Sequence, residues 1–220
     1  MIEITNLVKR YGKETVLDGI TVAFDVGRIY GRVGPNGCGK TTLMRCICGF
    51  TRATDGVIEV NGKVIGKDVD FPEHTGIILE TPSFLPHFSG LKNLLMLAGI
   101  SHGVDRTGAA DVMRELGFDP TSRKPVKKYS LGMRQRLGIS QAIMEGAEIL
   151  LLDEPFNGLD QQGIEDIHSL LQSQKASGKT IILASHSAAD IGQACDTVYD
   201  MSKGKLYLRR GNPLTVTAAI

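Results

Sequence analysis

The stretch "GPNGCGKTT", residues 34–42, decides the fold class of this 220-residue chain. It satisfies the pattern G-x-x-x-x-G-K-[ST], which marks a phosphate-binding loop when a strand precedes it and a helix follows it. The sequence meets both conditions, because the apolar run "RIYGRV" comes before the loop and the helical pattern "TTLMRCI" opens at its end. Glycines are needed because the loop must wrap a phosphate closely enough for its N–H groups to point inward. A Gly-rich turn that fits the pattern by chance is the alternative, and the flanking strand and helix argue against it.

The side chains of this loop have distinct expected roles. Lys40 is expected to reach the outer phosphates of a nucleotide, and the Thr41 hydroxyl is expected to bind Mg²⁺. The residues of the loop and the first helical turn that we expect to contact the phosphates are Asn36, Gly37, Cys38, Gly39, Lys40, Thr41 and Thr42. The loop therefore predicts a nucleotide with its magnesium ion as the ligand.

An acidic pair follows the apolar run "ILLL" in "ILLLDEP", residues 149–155. A continuous apolar run is typical of a strand buried on both faces, and open α/β sheets bind their ligands at the carboxyl ends of such strands. Asp153 is expected to hold Mg²⁺, directly or through water. Glu154 is expected to accept a proton from the water that attacks the γ-phosphate, which a hydrolase needs. By itself the pair would be read as a solvated strand end, and the upstream phosphate loop favours the catalytic interpretation.

The order of apolar runs and helical patterns predicts an α/β fold. The runs "RIYGRV", "TGIIL", "EILLLD" and "TIILAS" are continuous, as in strands of a parallel sheet. Helical patterns cover about 40–48, 131–145 and 162–175. We therefore expect the core of a P-loop nucleoside triphosphatase, which is a mostly parallel sheet flanked by helices.

Two additions to this core are expected. "GVIEVNGKVIG" carries Asn61 and Gly62 between two strand-like runs, and "MSKGKLYL" suggests a second hairpin near the end, so a small antiparallel β lobe should accompany the core. Strand signals are missing from 84–146, which predicts an inserted helical subdomain. The single domain would thus comprise a core of 1–83 and 147–220 with this insertion.

Composition limits the function classes. A formal net charge of +1 gives no field that demands nucleic acid, and the short basic run "RKPVKK" is expected to be a solvated linker. The cysteines show no paired zinc-type spacing, and with no signal-peptide pattern at the start we expect a reducing cytosol. No apolar run reaches the roughly 18 residues that span a bilayer. If the protein works at a membrane, another chain is expected to supply the membrane part.

The segment "YSLGMRQR", residues 129–136, is a second candidate for anion binding. Ser130 is a good helix N-cap, and the glycine and two arginines that follow indicate a helix start whose N–H groups face something negative. An ordinary helix cap is the alternative. From the residues alone, the identity of the anion stays open.

Taken together, these motifs resemble an ABC-type ATPase, the nucleotide-binding subunit of an ATP-binding cassette transporter, over nearly the whole chain. Tyr11 matches the aromatic residue that stacks on adenine in this family, with Val16 beside the base, although a tyrosine at a strand end more often packs internally. "NGLD", residues 157–160 ending at Asp160, is similar to the D-loop. His186 in "LASHS" falls at the position of the switch histidine, which senses the γ-phosphate and orients the water. A lone histidine is more often structural.

The resemblance also identifies the anion at 129–136. This segment matches the signature that, in the family, binds the γ-phosphate of ATP held by the other protomer, with two cassettes clamped head to tail. Ser130, Gly132 and Met133 are then ATP-binding residues. The implied partners are a transmembrane permease on a separate chain and a second cassette, in a homodimer or heterodimer, with no nucleic acid. The implied cofactors are ATP and Mg²⁺, and the implied location is the cytoplasmic face of the cell membrane.

Departures from the family pattern suggest a subgroup. Leu131 replaces a signature glycine, Met133 replaces the glutamine, and Glu80 in "ILETPSFLP" stands where the family has a switch glutamine. Such features are similar to those of exporters for bacitracin, lantibiotics and related peptides, so we expect export of a peptide or amphipathic compound. Glu80 is then a candidate Mg²⁺ ligand. Alternatives are an importer subunit, or a soluble ABC-type ATPase in translation or DNA maintenance.

Overall fold

The helices and strands follow the order of the apolar segments along the chain. The computed structural model describes residues 1–79, 82–101 and 104–211. The strands are β1 (Ile2–Tyr11), β2 (Glu14–Phe24), β3 (Ile29–Val33), β4 (Asp55–Val60), β5 (Lys63–Val64), β6 (Thr75–Ile78), β7 (Ile149–Asp153), β8 (Thr180–Ser185), β9 (Thr197–Ser202) and β10 (Lys205–Arg210). The helices are α1 (Lys40–Ile47), α2 (Gly90–Ser101), α3 (Arg106–Glu115), α4 (Leu131–Ile143), α5 (Gln161–Ala176) and α6 (Ala188–Ala194), with a short 3-10 helix at Val126–Lys128.

The larger sheet of the described residues has the strand order β10-β9-β3-β8-β7-β6. The pairs β9–β3, β3–β8, β8–β7 and β7–β6 are parallel, and β10 pairs with β9 in the antiparallel sense. Strands β3, β7 and β8 are buried along their whole length because α1 and the smaller sheet cover one face of the larger sheet and helices cover the other. The predicted parallel strands and the predicted helices α1, α4 and α5 are confirmed within two residues at most ends.

The smaller sheet is antiparallel, with the order β2-β1-β4-β5. Its hairpin between β4 and β5 turns at Asn61 and Gly62, both with positive φ, as the sequence predicts. The hairpin predicted near the end also forms, between β9 and β10, but it lies at the edge of the larger sheet. The reason is that β9 pairs in parallel with β3, so the hairpin extends the core and does not join the antiparallel lobe.

Three apolar clusters hold these layers together. The first joins the smaller sheet and α1 to one face of the larger sheet, and the second packs α4, α5 and α6 on the other face. The third lies among α2, α3 and α4 and includes Leu94, Met113 and Leu137. Phe84 packs against this third cluster, whereas Leu85 is exposed. We propose from this separate cluster that residues 84–146 form one helical subdomain.

The four cysteines are free and buried. Burial raises the pKa of Cys46 to about 11 and the pKa values of Cys48 and Cys195 to about 12. Cys38 lies within the phosphate loop and is 7% exposed. In the part of the chain that the structure describes, no helix is both long and apolar enough to cross a membrane.

Candidate functional site

The phosphate loop connects β3 to α1 at the carboxyl edge of the larger sheet. Gly37 and Gly39 adopt φ angles of 78° and 107°, which a residue with a Cβ rarely adopts. A Cβ added at Gly34 would lie 2.4 Å from the carbonyl oxygen of Met201, so this glycine is required by packing. The loop sequence thus fits a backbone that curls tightly at the start of a helix.

Lys40 begins α1 and folds back over the loop. Its Nζ donates to the carbonyl oxygens of Gly34 at 2.6 Å and of Pro35 at 3.1 Å. An ammonium group has three N–H donors, so these two bonds leave one for a phosphate oxygen. Lys40 is only 6% exposed, which places its charge at the base of the site.

A hydroxyl and a carboxylate meet beside this lysine. Thr41 Oγ1 lies 2.5 Å from Asp153 Oδ2, where Asp153 ends strand β7. Mg²⁺ in nucleotide sites is bound by one or two such protein oxygens together with substrate phosphates and water. The donor set at this point therefore fits a magnesium ion that a nucleotide helps to hold.

The next residue, Glu154, has a strained backbone. Its φ of 50° lies in the left-handed region, which costs a non-glycine residue roughly 1 to 3 kcal/mol and is found mainly at functional sites. Its N–H donates to the carbonyl of Ala184 at 2.8 Å, which ties it to the end of β8. Its Oε2 lies 3.2 Å from the Ser185 hydroxyl and 2.9 Å from His186 Nδ1. The strained turn therefore directs the carboxylate toward the end of the neighbouring strand.

The contact with Glu154 identifies Nδ1 as the nitrogen of His186 that faces the carboxylate. Because an ionised carboxylate only accepts hydrogen bonds, Nδ1 carries a proton in this contact. The imidazole is 67% exposed, whereas the Glu154 side chain is 28% exposed. Nε2 is therefore the ring nitrogen available to a ligand.

Lys40, Thr41, Asp153 and Glu154 line one cleft of about 330 Å³, which we name the loop cleft. Its lining consists of Val16, Asn36, Gly37, Gly39, Lys40, Thr41, Thr42, Leu131, Gln135, Asp153, Glu154 and Asn157. The structure thus brings the predicted phosphate loop, acidic pair and Val16 together. Tyr11 lies at the end of β1, 49% exposed, with the Lys9 Nζ 4.7 Å from its ring centre. The predicted ligand Glu80 lies outside the described residues.

The predicted signature residues lie in a second cleft, of about 400 Å³, which we name the signature cleft. Its lining consists of Leu116, Gly117, Phe118, Ser130, Gly132, Met133, Arg136, Gly158, Leu159 and Asp160. Ser130 caps α4 by accepting from the Met133 N–H at 3.1 Å, and Asp160 caps α5 by accepting from the Gly163 N–H at 2.9 Å. Apart from Tyr11 and Cys38, which line neither cleft, the ATP-binding residues predicted from sequence are therefore divided between two clefts of one chain.

Internal packing accounts for features of the signature that the sequence analysis assigned to an anion. A Cβ on Gly132 would lie 2.6 Å from the Gly158 carbonyl oxygen. Arg134 donates to the Tyr129 carbonyl at 2.8 Å, and Arg136 forms a 2.9 Å ion pair with Asp166. Gly132, Arg134 and Arg136 therefore each have an internal partner, so their presence at this helix start does not by itself indicate an external anion.

Sequence reasoning missed two residues of the site. Gln135 donates from Nε2 to the Glu154 carbonyl at 3.2 Å and is 4% exposed, and Ser185 supports the Glu154 carboxylate. A polar residue at a buried position of the apolar α4 pattern was the available signal for Gln135. Ser185 gave none, because a serine that ends a strand is common.

Comparison with known proteins agrees with this geometry. A family model described as ABC transporter matches residues 17–157. The bacitracin transport ATP-binding protein BcrA of Enterococcus faecalis is 39% identical over 94% of this chain and 68% of its own length. The lantibiotic transport ATP-binding protein SrtF of Streptococcus pyogenes is 33% identical over 96% of this chain and 90% of its own length.

A solved structure of an ATP-binding subunit of an ABC transporter has a similar fold. It superposes with a TM-score of 0.84 at 26% identity, covering 96% of this chain and 90% of that one. The expected P-loop α/β fold and the expected resemblance to bacitracin and lantibiotic exporters are therefore confirmed. On the family match and these relatives, the chain belongs to the ABC transporter family as an ATP-binding subunit.

Proposed function

We propose that this chain binds Mg²⁺ and ATP in its loop cleft, hydrolyses the ATP as one half of a dimer, and drives export of a peptide through a separate permease. Family membership makes the chain an ATPase subunit of a transporter. The observation that carries the proposal is the single cleft that joins Lys40, the Thr41–Asp153 pair and Glu154. His186 contacts the Glu154 carboxylate from outside the cleft lining.

The phosphates would be held by the loop backbone and by Lys40. The N–H groups at the start of α1 and the remaining N–H donor of Lys40 provide a positive site for the outer phosphates. Thr41 and Asp153 would hold the magnesium ion, which when bound offsets the negative charge of the β- and γ-phosphates. These groups would hold the nucleotide with its γ-phosphate toward Glu154.

Glu154 is proposed as the general base. Its carboxylate would accept the proton of a water molecule that attacks the γ-phosphate, and Ser185 holds its Oε2 in position. His186 contacts the same oxygen through Nδ1, and its other nitrogen would face the γ-phosphate of a bound ATP. The Gln135 bond to the Glu154 carbonyl links this strained turn to α4, the helix that begins with the signature.

The signature cleft is proposed to receive the nucleotide of a second cassette. Ser130, Gly132 and Met133 line this cleft with Asp160, separately from the loop cleft, so each cassette would offer one of two complementary surfaces. A two-fold dimer of such subunits makes two composite sites. The partner cassette is a second copy of this chain or a related subunit.

The proposed cargo comes from the relatives, and the proposed export direction comes from the resemblance of the sequence motifs to those of peptide exporters. Proteins named for bacitracin transport and lantibiotic transport match most of this chain, and a peptide is the cargo class those names share. A permease on a separate chain would hold the cassette at the cytoplasmic face of the membrane. A soluble role in translation or DNA maintenance is not favoured, because these relatives are transport proteins by name.

The test compares the parent chain with Glu154→Gln. The parent should hydrolyse ATP only with Mg²⁺, whereas Glu154→Gln should bind ATP as the parent does and lose at least about a hundredfold in turnover, since an amide cannot accept the proton. Glu148→Gln, which changes an acidic residue outside the loop cleft, serves as the matched control and should keep full activity. Near-parental hydrolysis by Glu154→Gln would remove Glu154 from the mechanism.

A further inference from the structure

Arg32 is a charged residue in the interior of the larger sheet. It lies in β3, two residues before the phosphate loop, and is 0% exposed. Its register neighbours are Ala184 on β8 and Tyr199 on β9. An arginine within a central buried strand is rare, because such strands are otherwise apolar.

The hydrogen bonds of Arg32 do not compensate for the burial of its charge. Its Nη1 donates to the carbonyl oxygen of Lys40 at 3.2 Å, while Nε and Nη2 have no hydrogen-bond partner among the described residues. Burial lowers the pKa of Arg32 to about 10, and the charge of Asp153 opposes that change, so the guanidinium remains charged at neutral pH. A buried cation of this kind destabilises a fold relative to an apolar side chain of similar size.

The surroundings of Arg32 point to the nucleotide site. Its one hydrogen bond holds the first carbonyl of α1, the helix whose N-terminus forms the phosphate cradle. Asp153, one half of the Thr41–Asp153 pair, is the acidic group whose charge acts on it. A charge in the dry interior acts over longer distances than a charge at the surface, because little water screens it.

We propose that Arg32 is a positioning residue of the ATP site, which fixes the start of α1 and supplies a buried positive charge behind the phosphate loop. The proposal rests on the proposed function of the loop cleft. Arg32 does not need to touch the nucleotide. It attracts the outer phosphates through the interior and disfavours a cation at Asp153 until phosphates are present to offset its charge.

This role predicts a specific dependence on magnesium. The magnesium complex of ATP carries about half the negative charge of metal-free ATP, so a fixed charge contributes about half as much free energy to its binding. A substitution that weakens the binding of metal-free ATP by about tenfold should therefore weaken the binding of the magnesium complex by only about threefold. A merely structural role would weaken both forms by the same factor.

The experiment measures the Kd of metal-free ATP, in EDTA, and of the magnesium complex for the purified full chain and its variants. Arg32→Met should show the unequal losses given above, with a free energy of unfolding no lower than that of the parent. Arg32→Lys keeps the charge and should keep the parental ratio of the two Kd values. Tyr30→Phe removes a buried hydroxyl from the same face of β3, where it accepts from the Asp25 N–H at 2.8 Å, and should leave the ratio unchanged.

Each remaining outcome decides the question. Equal losses for the two forms of ATP, or no loss, overturn the proposal while leaving the proposed function intact. Absence of ATP binding by the parent refutes the proposed function itself. If Arg32→Met does not fold, Arg32→Gln replaces it in the experiment, because glutamine can still donate to the Lys40 carbonyl. If neither neutral variant folds, Arg32 has a structural role and the proposal is overturned.

Discussion

Two inactive variants can test whether the signature cleft serves the nucleotide of the partner. An aspartate at Gly132 is unsuitable, because any Cβ there would lie 2.6 Å from the Gly158 carbonyl oxygen and disturb the fold. Ser130 is exposed and acts as the N-cap of α4, a position that aspartate fills equally well. Ser130→Asp therefore keeps the cap and adds a negative charge to the cleft.

The size of the effect follows from charge repulsion. A carboxylate about 4 Å from a phosphate charge, at an effective dielectric constant of about 20, is disfavoured by about 4 kcal/mol. Since about 1.4 kcal/mol corresponds to a factor of ten, Ser130→Asp should lose roughly three orders of magnitude in ATPase rate. Ser130→Asn keeps the cap without the charge and is the matched control, with most of its activity retained.

The second variant is Lys40→Ala, which removes the lysine at the outer phosphates. Each homodimer should be nearly inactive. In a mixed dimer the trans arrangement puts both changes into one composite site and leaves the other site intact. If half of the dimers in an equal mixture are mixed and each has one working site of two, activity should return to about a quarter of the parental rate.

ATPase activity is measured on mixtures whose heterodimers are identified by two different affinity tags, co-purified in the presence of ATP. If the signature instead served the nucleotide of its own chain, neither variant would contain a working site. Mixing the two variants would then restore no activity. The cross-protomer assignment would be refuted if verified heterodimers had no more ATPase activity than the Ser130→Asp and Lys40→Ala homodimers.

Two further predictions concern stability. Gly31→Ala should lower the free energy of unfolding, measured in urea, by about 1 to 3 kcal/mol, because the added Cβ would lie 2.3 Å from Ile191 Cγ2. Gly192→Ala is the control, because the space around its added Cβ is open. Equal stability of the two variants would contradict this packing argument. Burial raises the pKa of Asp196, but hydrogen bonds from the start of β3 and from Lys175 outweigh it and lower the pKa below its ordinary value. The stabilisation by Asp196 is therefore complete above about pH 4 and is lost as the pH falls through the lowered pKa, so Asp196→Asn should lower stability at pH 7 more than at pH 3; an equal loss at both pH values in urea titrations would count against it.

The parts of the fold that sequence predicted best are those with one dominant signal. The strands that hold the site are continuous apolar runs, and the glycine pattern of residues 34–39 leaves few other conformations. Strands β1 and β2 were missed because their pairing contains register shifts between Ile4 and Leu7 and between Leu7 and Lys9, which break the alternation of apolar residues. Asn6, at the first of these irregularities, has a φ of 49°.

The candidate site was predictable where a residue type has one common role at its position in a sequence motif. Lys40, Thr41, Asp153 and Glu154 fall in one cleft because their motifs end at one edge of one sheet. The internal contacts of the signature could not be predicted, since they depend on how closely α4 packs against the segment before α5. Their existence makes Gly132 a packing residue in this chain, whatever it contacts in a dimer.

The burial of all four native thiols makes this chain a suitable framework for site-specific labelling. A thiol reacts as its thiolate, and the raised pKa values of Cys46, Cys48 and Cys195 leave little thiolate at neutral pH. A cysteine introduced at the 63% exposed Val26 would be the thiol that a maleimide dye reaches first. Energy transfer between dyes on two chains can then follow the approach of the subunits in real time, with no native cysteine removed.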